Sequence, residues 1–377
     1  MICKMVKLGE ACYVRRGTTI TKKQTIEGNV PVIGGGIKPT YFHNESNRMA
    51  GCITVSGSGA SAGFVNSWDI PIFASDCSTV EPKDDTQLIK FIYYYLLSQQ
   101  QFIYDNFRSG AAQPHVYAKD LETLDFPVIP LEQQQRIVAK LDAVFAEIDG
   151  AIEVANAKES EVEKLKTSLL SVSFSDDATR WKTVKLQGIC HKITDGSHNP
   201  PKGVEYSEHL MLSSKNIHND LISYDKPRFL SKSNFEDENK RTDIQLGDVL
   251  LTIVGTIGRC AVFEGSGSRF TLQRSVAVLK PKHDLVLPRF MMFVLQSMLG
   301  VLNDCARGVA QKGIYLKSLK ALSFPLPPLE EQQCIVAKLD AIFSELADVN
   351  EAIKQCKTNY KALKSAILVQ ELQSEVV

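Results

Sequence analysis

Apolar residues step four, three, four, three along two long segments of the chain. The first runs Ile137, Leu141, Val144, Ile148, Ala151, Ala155, Val162, Leu165, Leu169; the second runs Ile335, Leu339, Ile342, Leu346, Val349, Ile353, Tyr360, Leu363, Ile367. A sustained heptad of this kind predicts long helices with a coiled-coil seam. The seam is assigned to Ile137, Leu141, Val144, Ile148, Leu165 and Leu169 on one helix and to Ile335, Leu339, Ile342, Leu346, Leu363 and Ile367 on the other. Each segment opens with Pro-Leu-Glu, at Pro130 and Pro328, and Pro followed by acids marks a helix start. From 131 to 173 the first helix would reach roughly 60 Å at 1.5 Å per residue. Lys158 and Cys356 interrupt the two seams at the same level, which fits pairing of the helices with one another.

The two segments are copies. Pro130–Ile148 matches Pro328–Leu346 at 14 of 19 positions, at an offset of 198. A long internal repeat fixes the organisation before anything else. The order is variable unit, constant helix, variable unit, constant helix. A whole unit lies between the helices, so a spacer coiled coil fits better than a hairpin inside one core. If a pseudo-dyad relates the halves, the helices run antiparallel. The boundaries expected are a unit at 1–127, a helix at 128–173, a linker at 174–183, a unit at 184–327 and a helix at 328–373.

Inside the variable units, periodicity predicts short strands at Cys52–Val55, Ile70–Phe73 and Ser78–Val80, and at Val249–Val254, Arg259–Phe263 and Val276–Leu279. Apolar helices are expected at Gln87–Phe107 and Pro288–Asp304. Each unit begins with Val-Lys-Leu, and Tyr117/Tyr315, Lys119/Lys317 and Leu121/Leu319 again sit 198 apart. The fold class is α+β, with a pseudo-two-fold internal repeat.

Composition changes this picture little; charge distribution changes it more. The formal net charge is zero, yet residues 181–327 carry 20 basic and 13 acidic groups, while 1–127 carry 12 of each. The helical segments 128–180 and 328–377 sum to −4 and −3. One basic unit on an acidic frame permits nucleic-acid binding locally. Nine cysteines without a CxxC pair suggest reduced thiols and no zinc site. With no apolar run long enough for a membrane span and no signal-like start, the expected location is the cytoplasm.

Candidate chemistry is that of binding. The first unit offers Arg15, Arg16, Lys22, Lys23, Tyr41, His43, Asn44, Ser58, Ser61 and Gln113 in loops rich in glycine. The second offers Thr194, His198, Asn199, Lys215, Asn216, Thr256, Arg259, Arg274, Gln311 and Lys312. Arg and Lys suit guanine edges, Asn and Gln suit adenine, and Ser and Thr suit either or a phosphate. Catalytic patterns are missing or incomplete. His198-Asn-Pro-Pro-Lys202 resembles the Asn-Pro-Pro-aromatic motif of amino-methyltransferases, but Lys202 stands where the stacking ring belongs. No phosphate-binding GxxxxGK[ST], no GxSxG elbow and no His-rich cluster is present. No catalytic or metal-ligating residue is assigned.

The twice-repeated Phe-Pro-x-x-Pro-Leu-Glu-x-Gln-Gln-x-Ile-Val-Ala-Lys-Leu-Asp, at 126–142 and 324–340, resembles the DNA-specificity subunit of type I restriction–modification enzymes. So do Gly59–Asn66, Pro71–Ser75, Thr194–Pro201 and Gly247–Thr252. The resemblance covers nearly the whole chain. It implies two target-recognition domains, each reading half of a split, asymmetric DNA site, separated by two long antiparallel helices that set the spacing. It implies double-stranded DNA, two methyltransferase subunits and, for cleavage, restriction subunits as partners, and no membrane. No cofactor is then expected on this chain; S-adenosylmethionine, ATP and magnesium belong to the partners. Two other readings stay open at this point: a self-contained adenine methyltransferase, and a coiled-coil scaffold with no nucleic-acid role.

Overall fold

The computed structural model describes residues 4–110, 112–175, 181–218, 220–265, 269–308 and 312–376. It divides into two compact units. The first comprises Met1–Asn156 with Lys354–Val377, the second Ala157–Ile353.

In the first unit, a four-stranded antiparallel sheet runs in the order Cys12–Arg16, Cys77–Pro82, Cys52–Ser56, Val65–Trp68. All five residues of Cys52–Ser56 are buried, the polar Thr54 and Ser56 included. A three-stranded sheet joins Tyr41–His43, Val30–Ile33 and Phe73–Ala74, the last pair parallel. The strand expected at Ile70–Phe73 is displaced: Ile70 is exposed, and regular pairing begins at Phe73. Lys4–Lys7 pairs with Asp125–Val128, so the start of the unit is stitched to the residues that enter the long helix. The core sets Ile53, Val55 and Val80 against Phe91, Ile92 and Leu96.

The second unit repeats this plan. Its four strands run Cys190–Asp195, Val276–Pro281, Val249–Thr252, Cys260–Val262, and its three-stranded sheet joins Arg228–Leu230, His209–Leu212 and Phe270–Leu272. Lys182–Lys185 pairs with Ser323–Leu326 as its stitch. It adds a small hairpin, Ile217–His218 with Leu221–Ile222, and a helix, Lys232–Thr242. Each expected apolar helix is in fact two. Ile89–Ser98 and Gln100–Phe107 meet at Gln99, and Pro288–Ser297 and Leu299–Cys305 meet at Met298. Both junctions have φ near −90° and ψ near zero, at 7° and 17°. This bridge conformation turns the chain without stopping the apolar pattern.

The long helices span Leu131–Ser175 and Leu329–Val376. The connection read at 174–183 is therefore shorter at both ends, since 174 and 175 are helical and 182 and 183 are in a strand. Within the first unit the helices are antiparallel. Lys140 Nζ lies 2.6 Å from Glu371, Lys364 Nζ 2.6 Å from Asp149, and Lys357 Nζ 3.2 Å from Asn156. Ile137, Leu141 and Phe145 share a core with Leu368 and Leu372. Within the second unit Asn350 donates to Glu163 at 3.3 Å, and Lys166 lies 5.0 Å over the Phe343 ring. There Leu170 and Phe174 share a core with Leu339 and Phe343.

The seam needs one correction. Leu165, Ile342 and Leu363 are exposed, with 48%, 36% and 47% of their surface accessible. Each helix must serve its globular unit as well as its partner helix. The buried face therefore shifts onto Phe145 and Phe343, and onto Leu170, Phe174, Leu368 and Leu372. A strict 3.5-residue step drifts off a face that follows 3.6.

The repeated glutamine supplies the junction between helix and unit. Gln134 is fully buried; its Oε1 accepts from the Leu88 amide at 2.8 Å, and its Nε2 donates to the carbonyls of Thr86 and Ile129, both at 2.9 Å. Gln332, 198 residues on, is equally buried; it accepts from the Leu287 amide and donates to the Leu285 and Pro327 carbonyls, all at 2.9 Å. Leu88 and Leu287 are the N-caps of the apolar helices, so each glutamine satisfies a free helix amide. Two turns on, Asp142 takes Lys90 at 2.7 Å and the Tyr94 hydroxyl, while Asp340 takes Arg289 at 2.8 Å. Burial first, then the bond to Asp142, pushes the Tyr94 phenol up, so it remains the proton donor. Removing either carboxamide strands a buried amide and two carbonyls. Gln134→Ala and Gln332→Ala should each cost about 1–3 kcal/mol or more in urea unfolding. The exposed neighbours Gln135→Ala and Gln333→Ala should leave the midpoint unchanged.

Candidate nucleic-acid interface

Loops of each unit gather at one end of its four-stranded sheet, and glycine fixes how they cross. In the first unit the chain leaves Arg16 and passes to the second sheet, with Gly17 N bonded to Cys77 O and Thr18 N to Ala74 O. In the second it leaves Asp195 in the same way, with Gly196 N on Val276 O and Ser197 N on Leu272 O. A Cβ at Gly17 would lie 2.3 Å from Ser75 O, and one at Gly196 2.1 Å from Leu272 O, so no side chain fits either crossing.

Around the first crossing the fold brings together Arg16, the Gly34–Gly36 loop, Ser58, Ser61 and the arch from Ser109 to His115. His115 bridges to Ser58 and Ser109, and Val116 N bonds Gly57 O. Ser58 Oγ donates to Asp76. Ile20 N bonds Ser75 Oγ, and Lys22 and Lys23 follow two residues on in the short turn Lys22–Gln24. Arg16, Lys22, Lys23 and Lys38 are exposed and have no ion pair among the described residues. Gln113 is exposed on the arch.

Arg15 does not join this cluster. Its guanidinium lies over Tyr13 and 3.5 Å from Glu81, toward the other end of the sheet. Asn44 is exposed, but its backbone packs on Gly28, away from the crossing. Tyr41 is half-buried on the edge strand opposite Val32. His43 is a core residue: it is buried, its Nδ1 takes the Ile26 amide at 3.0 Å, and its ring meets Phe73 edge-on.

Around the second crossing stand His198, Asn199, Lys215, Thr256, Arg259, Arg274 and Lys312. Arg274 N bonds Ser197 O, Ser214 N bonds Ser275 Oγ, and Gly255 N approaches Lys312 O. Arg307 pairs through its backbone with Gly313, next to Val254. Lys215, Arg259, Arg274, Arg307 and Lys312 are all exposed and have no ion pair among the described residues. His198 is half-exposed, its Nε2 2.8 Å from the buried Asp195 carboxylate, which also holds Arg241. Thr194 and Asn216 are structural. Thr194 is buried in its strand, and Asn216 closes its own turn through Ser213 N and Asp225 O, both at 3.0 Å. Gln311 lies outside the described residues.

Sequence reasoning missed Lys38, Arg307 and both crossing glycines. Gly17 and Gly196 follow the first strand of their sheets; Val-Lys-Leu-x-x-x-Cys precedes each, at 6–12 and 184–190, but the glycines then fall five and six residues after the cysteine, which hides the equivalence. Several basic residues away from these loops are paired. Lys7 meets Asp125, Lys90 meets Asp142, Lys280 meets Asp248 and Arg289 meets Asp340. Burial raises the Asp248 carboxyl even though Lys280 lies 2.6 Å away. Among the described residues no group of His, Cys, Asp and Glu could hold a metal ion. Burial pushes the Cys12, Cys52, Cys77 and Cys190 thiols up to about 12, which removes them as nucleophiles near neutral pH.

A model of the type I restriction modification DNA specificity domain matches the chain twice, over residues 3–163 and 179–356. The chain belongs to that family. The match covers both units together with most of each long helix. Similar curated proteins include the EcoBI specificity subunit of Escherichia coli, 22% identical over 79% of this chain and 68% of its own length. The MjaVIII specificity subunit of Methanocaldococcus jannaschii is 23% identical over 84% and 77%. A solved chain from work on assembly and conformational transition of a type I restriction–modification system superposes with a TM-score of 0.68, at 21% identity, over 98% of this chain and 97% of that one. That likeness carries the fold. Each matched stretch holds one loop-bearing sheet unit and the beginning of the long helix that follows it.

Arg259 and Arg274 separate two kinds of contact. If either meets a guanine edge, its change to Ala should cost about 1–3 kcal/mol at one base position. If it meets phosphate, the loss should be uniform across sequences and the salt slope should fall by about 1. Fluorescence anisotropy on a duplex series at several salt concentrations distinguishes them, and unchanged binding by both variants removes them from the interface.

Proposed function

We propose that this chain is the non-catalytic, sequence-reading subunit of a cytoplasmic type I restriction–modification complex. Each recognition domain reads one half of a bipartite, asymmetric site in double-stranded DNA through its loop end, and the long helices set the spacing and dock two methyltransferase subunits and, where present, restriction subunits. Methylation with S-adenosylmethionine, and cleavage with ATP and magnesium, fall to those partners. The observation that carries the reading is the grouping of unpaired basic side chains at the same topological end of two sheets. Dissimilar loops build that grouping on near-identical helix frames. Phosphate affinity needs such cations, and base discrimination needs loops that differ. No helix among the described residues is long and apolar enough to cross a membrane. No observation favours the self-contained methyltransferase or the scaffold.

The frame supports the docking role through what it leaves uncovered. Leu165 and Leu363, 198 residues apart, are both about half exposed on acidic helices that repel DNA. A repeated apolar position suits two copies of one protein partner. Leu165→Asp with Leu363→Asp should leave thermal unfolding and protein expression intact but reduce co-purification of the methyltransferase. Undiminished co-purification would place the docking face elsewhere.

The reading is tested directly by domain exchange. Replacing residues 1–125 with the matching unit of a related protein should change one half of the methylated motif and leave the other intact. Methylome sequencing of a host carrying the exchange reads this out. Robust methylation with both halves altered contradicts independent readout, and methyl transfer by the purified chain alone contradicts the non-catalytic role.

A further inference from the structure

The two units diverge over much of their surfaces, yet an exposed tyrosine and lysine recur side by side in both. Tyr117 and Lys119 recur as Tyr315 and Lys317 at the offset of the helices. Their neighbours Leu121 and Leu319 recur too, but these are buried, and core packing explains them. No hydrogen bond or ion pair among the described residues requires the Tyr and Lys side chains. Tyr117 and Tyr315 are 47% and 68% exposed, and Lys119 and Lys317 are exposed. Each tyrosine caps a short helix through its carbonyl, with Tyr117 O accepting from Leu121 N and Tyr315 O from Leu319 N, a role open to any residue. Neither phenol has a hydrogen bond, and neither lysine an ion pair, among the described residues.

Their position is tied to the reading loops. Just before Tyr117, Val116 N bonds Gly57 O and Gly59 N bonds Pro114 O, which lashes the segment to the loop bearing Ser58. Just before Tyr315, Ile314 N bonds Ile253 O and Gly313 bridges Val254, beside Thr256 and Arg259. In the first unit the Tyr117 ring stacks on His115 at 6.0 Å and Lys119 Nζ lies 5.7 Å from that ring. Ring and ammonium thus present a donor hydroxyl and a cation together.

Residues that read bases should differ between units that read different half-sites. Residues kept in both should face what the half-sites share. Building on the DNA-reading function proposed above, we infer that Tyr117 with Lys119, and Tyr315 with Lys317, are equivalent sequence-independent clamps on the DNA phosphate backbone, one per half-site. A phosphate is common to every half-site, accepts from both groups, and lies within reach of loops that enter a groove. A shared protein partner is the competing source of constraint. The attachment of both pairs to the reading loops, rather than to the acidic helices, favours DNA.

The test uses the full chain assembled with its methyltransferase subunits. Binding is measured by anisotropy on a duplex carrying the host's methylated motif and on one with a scrambled half-motif, across a salt series. Lys119→Gln and Lys317→Gln should each lower the slope of log affinity against log salt by about 1, and the double variant by about 2. The fold-loss should be the same on both duplexes, so motif preference stays constant. Lys119→Arg should keep the parental slope, and Tyr117→Phe and Tyr315→Phe should weaken both duplexes equally. An unchanged slope in the double variant overturns the inference, as does a loss confined to one half-motif. Loss of methyltransferase co-elution at parental DNA slope assigns the pair to a protein contact and overturns it too. A parental complex with no motif preference overturns the DNA-reading function itself, whereas motif preference with an unchanged slope overturns only the clamp.

Discussion

Everything variable in this molecule hangs on a buried carboxamide. Gln134 and Gln332 spend their shortest bonds on backbone atoms: the free amide at an apolar helix N-cap, and carbonyls of the segments beside it; Gln134 adds one longer contact to a side chain, Gln87 Oε1 at 3.3 Å. Backbone groups do not change when a unit's sequence does. A repeated frame can therefore hold two units that differ in almost every surface residue, because the joint asks only for a helix start in the right place. Asp142 and Asp340 add a second hold that does use side chains, and there the partners differ, Lys90 and Tyr94 in one unit and Arg289 in the other. A charge-assisted bond tolerates Lys or Arg; a buried amide leaves no such latitude, since an unsatisfied one is costly.

The same economy governs charge. Residues 1–127 sum to zero, which on its face weakens their claim to a polyanion. Their acids are not spread evenly. Asp125 and Glu81 are engaged by Lys7, Arg15 and Arg48, away from the reading loops. Arg16, Lys22, Lys23 and Lys38 have no ion pair among the described residues, and the one acid in the loop cluster, Asp76, is taken by Ser58. Local field, set by which charges are already paired, decides what a surface attracts; the sum over a domain does not. Solution ions screen separated charges over about 10 Å at 0.1 M, which sharpens that locality.

The long helices, their antiparallel sense and the family were legible because a 198-residue repeat and a heptad are long-range signals. The buried central strands of the second unit, Val249–Thr252 and Val276–Pro281, were legible as well, since strands covered on both faces tend to read as apolar runs. Other features were not. Lys4–Lys7, Cys12–Arg16 and Tyr41–His43 are short and half-exposed, and they gain their strand character from partners far along the chain. Seam burial at Leu165, Ile342 and Leu363 was misread because a heptad cannot tell a helix that meets one neighbour from a helix that meets two. His43 and Asn216 looked like base readers for the same reason that they serve the fold: a side chain rich in donors and acceptors also closes turns and caps free amides.

The crossing glycines show how one fold holds different chemistries. Gly17 and Gly196 occupy equivalent places, each pinned by backbone that leaves no room for a Cβ. The residue before each is free to differ, and it differs in sign. Arg16 stands exposed and unpaired; Asp195 is buried, shared between Arg241 and His198. In the first unit the position offers its own cation. In the second it holds an imidazole in a fixed orientation at the surface, with the carboxylate hidden behind it. A reading surface therefore changes by substituting beside a rigid crossing, with no change to the crossing itself. The sheets can then stay superimposable while the groups they present to a ligand do not.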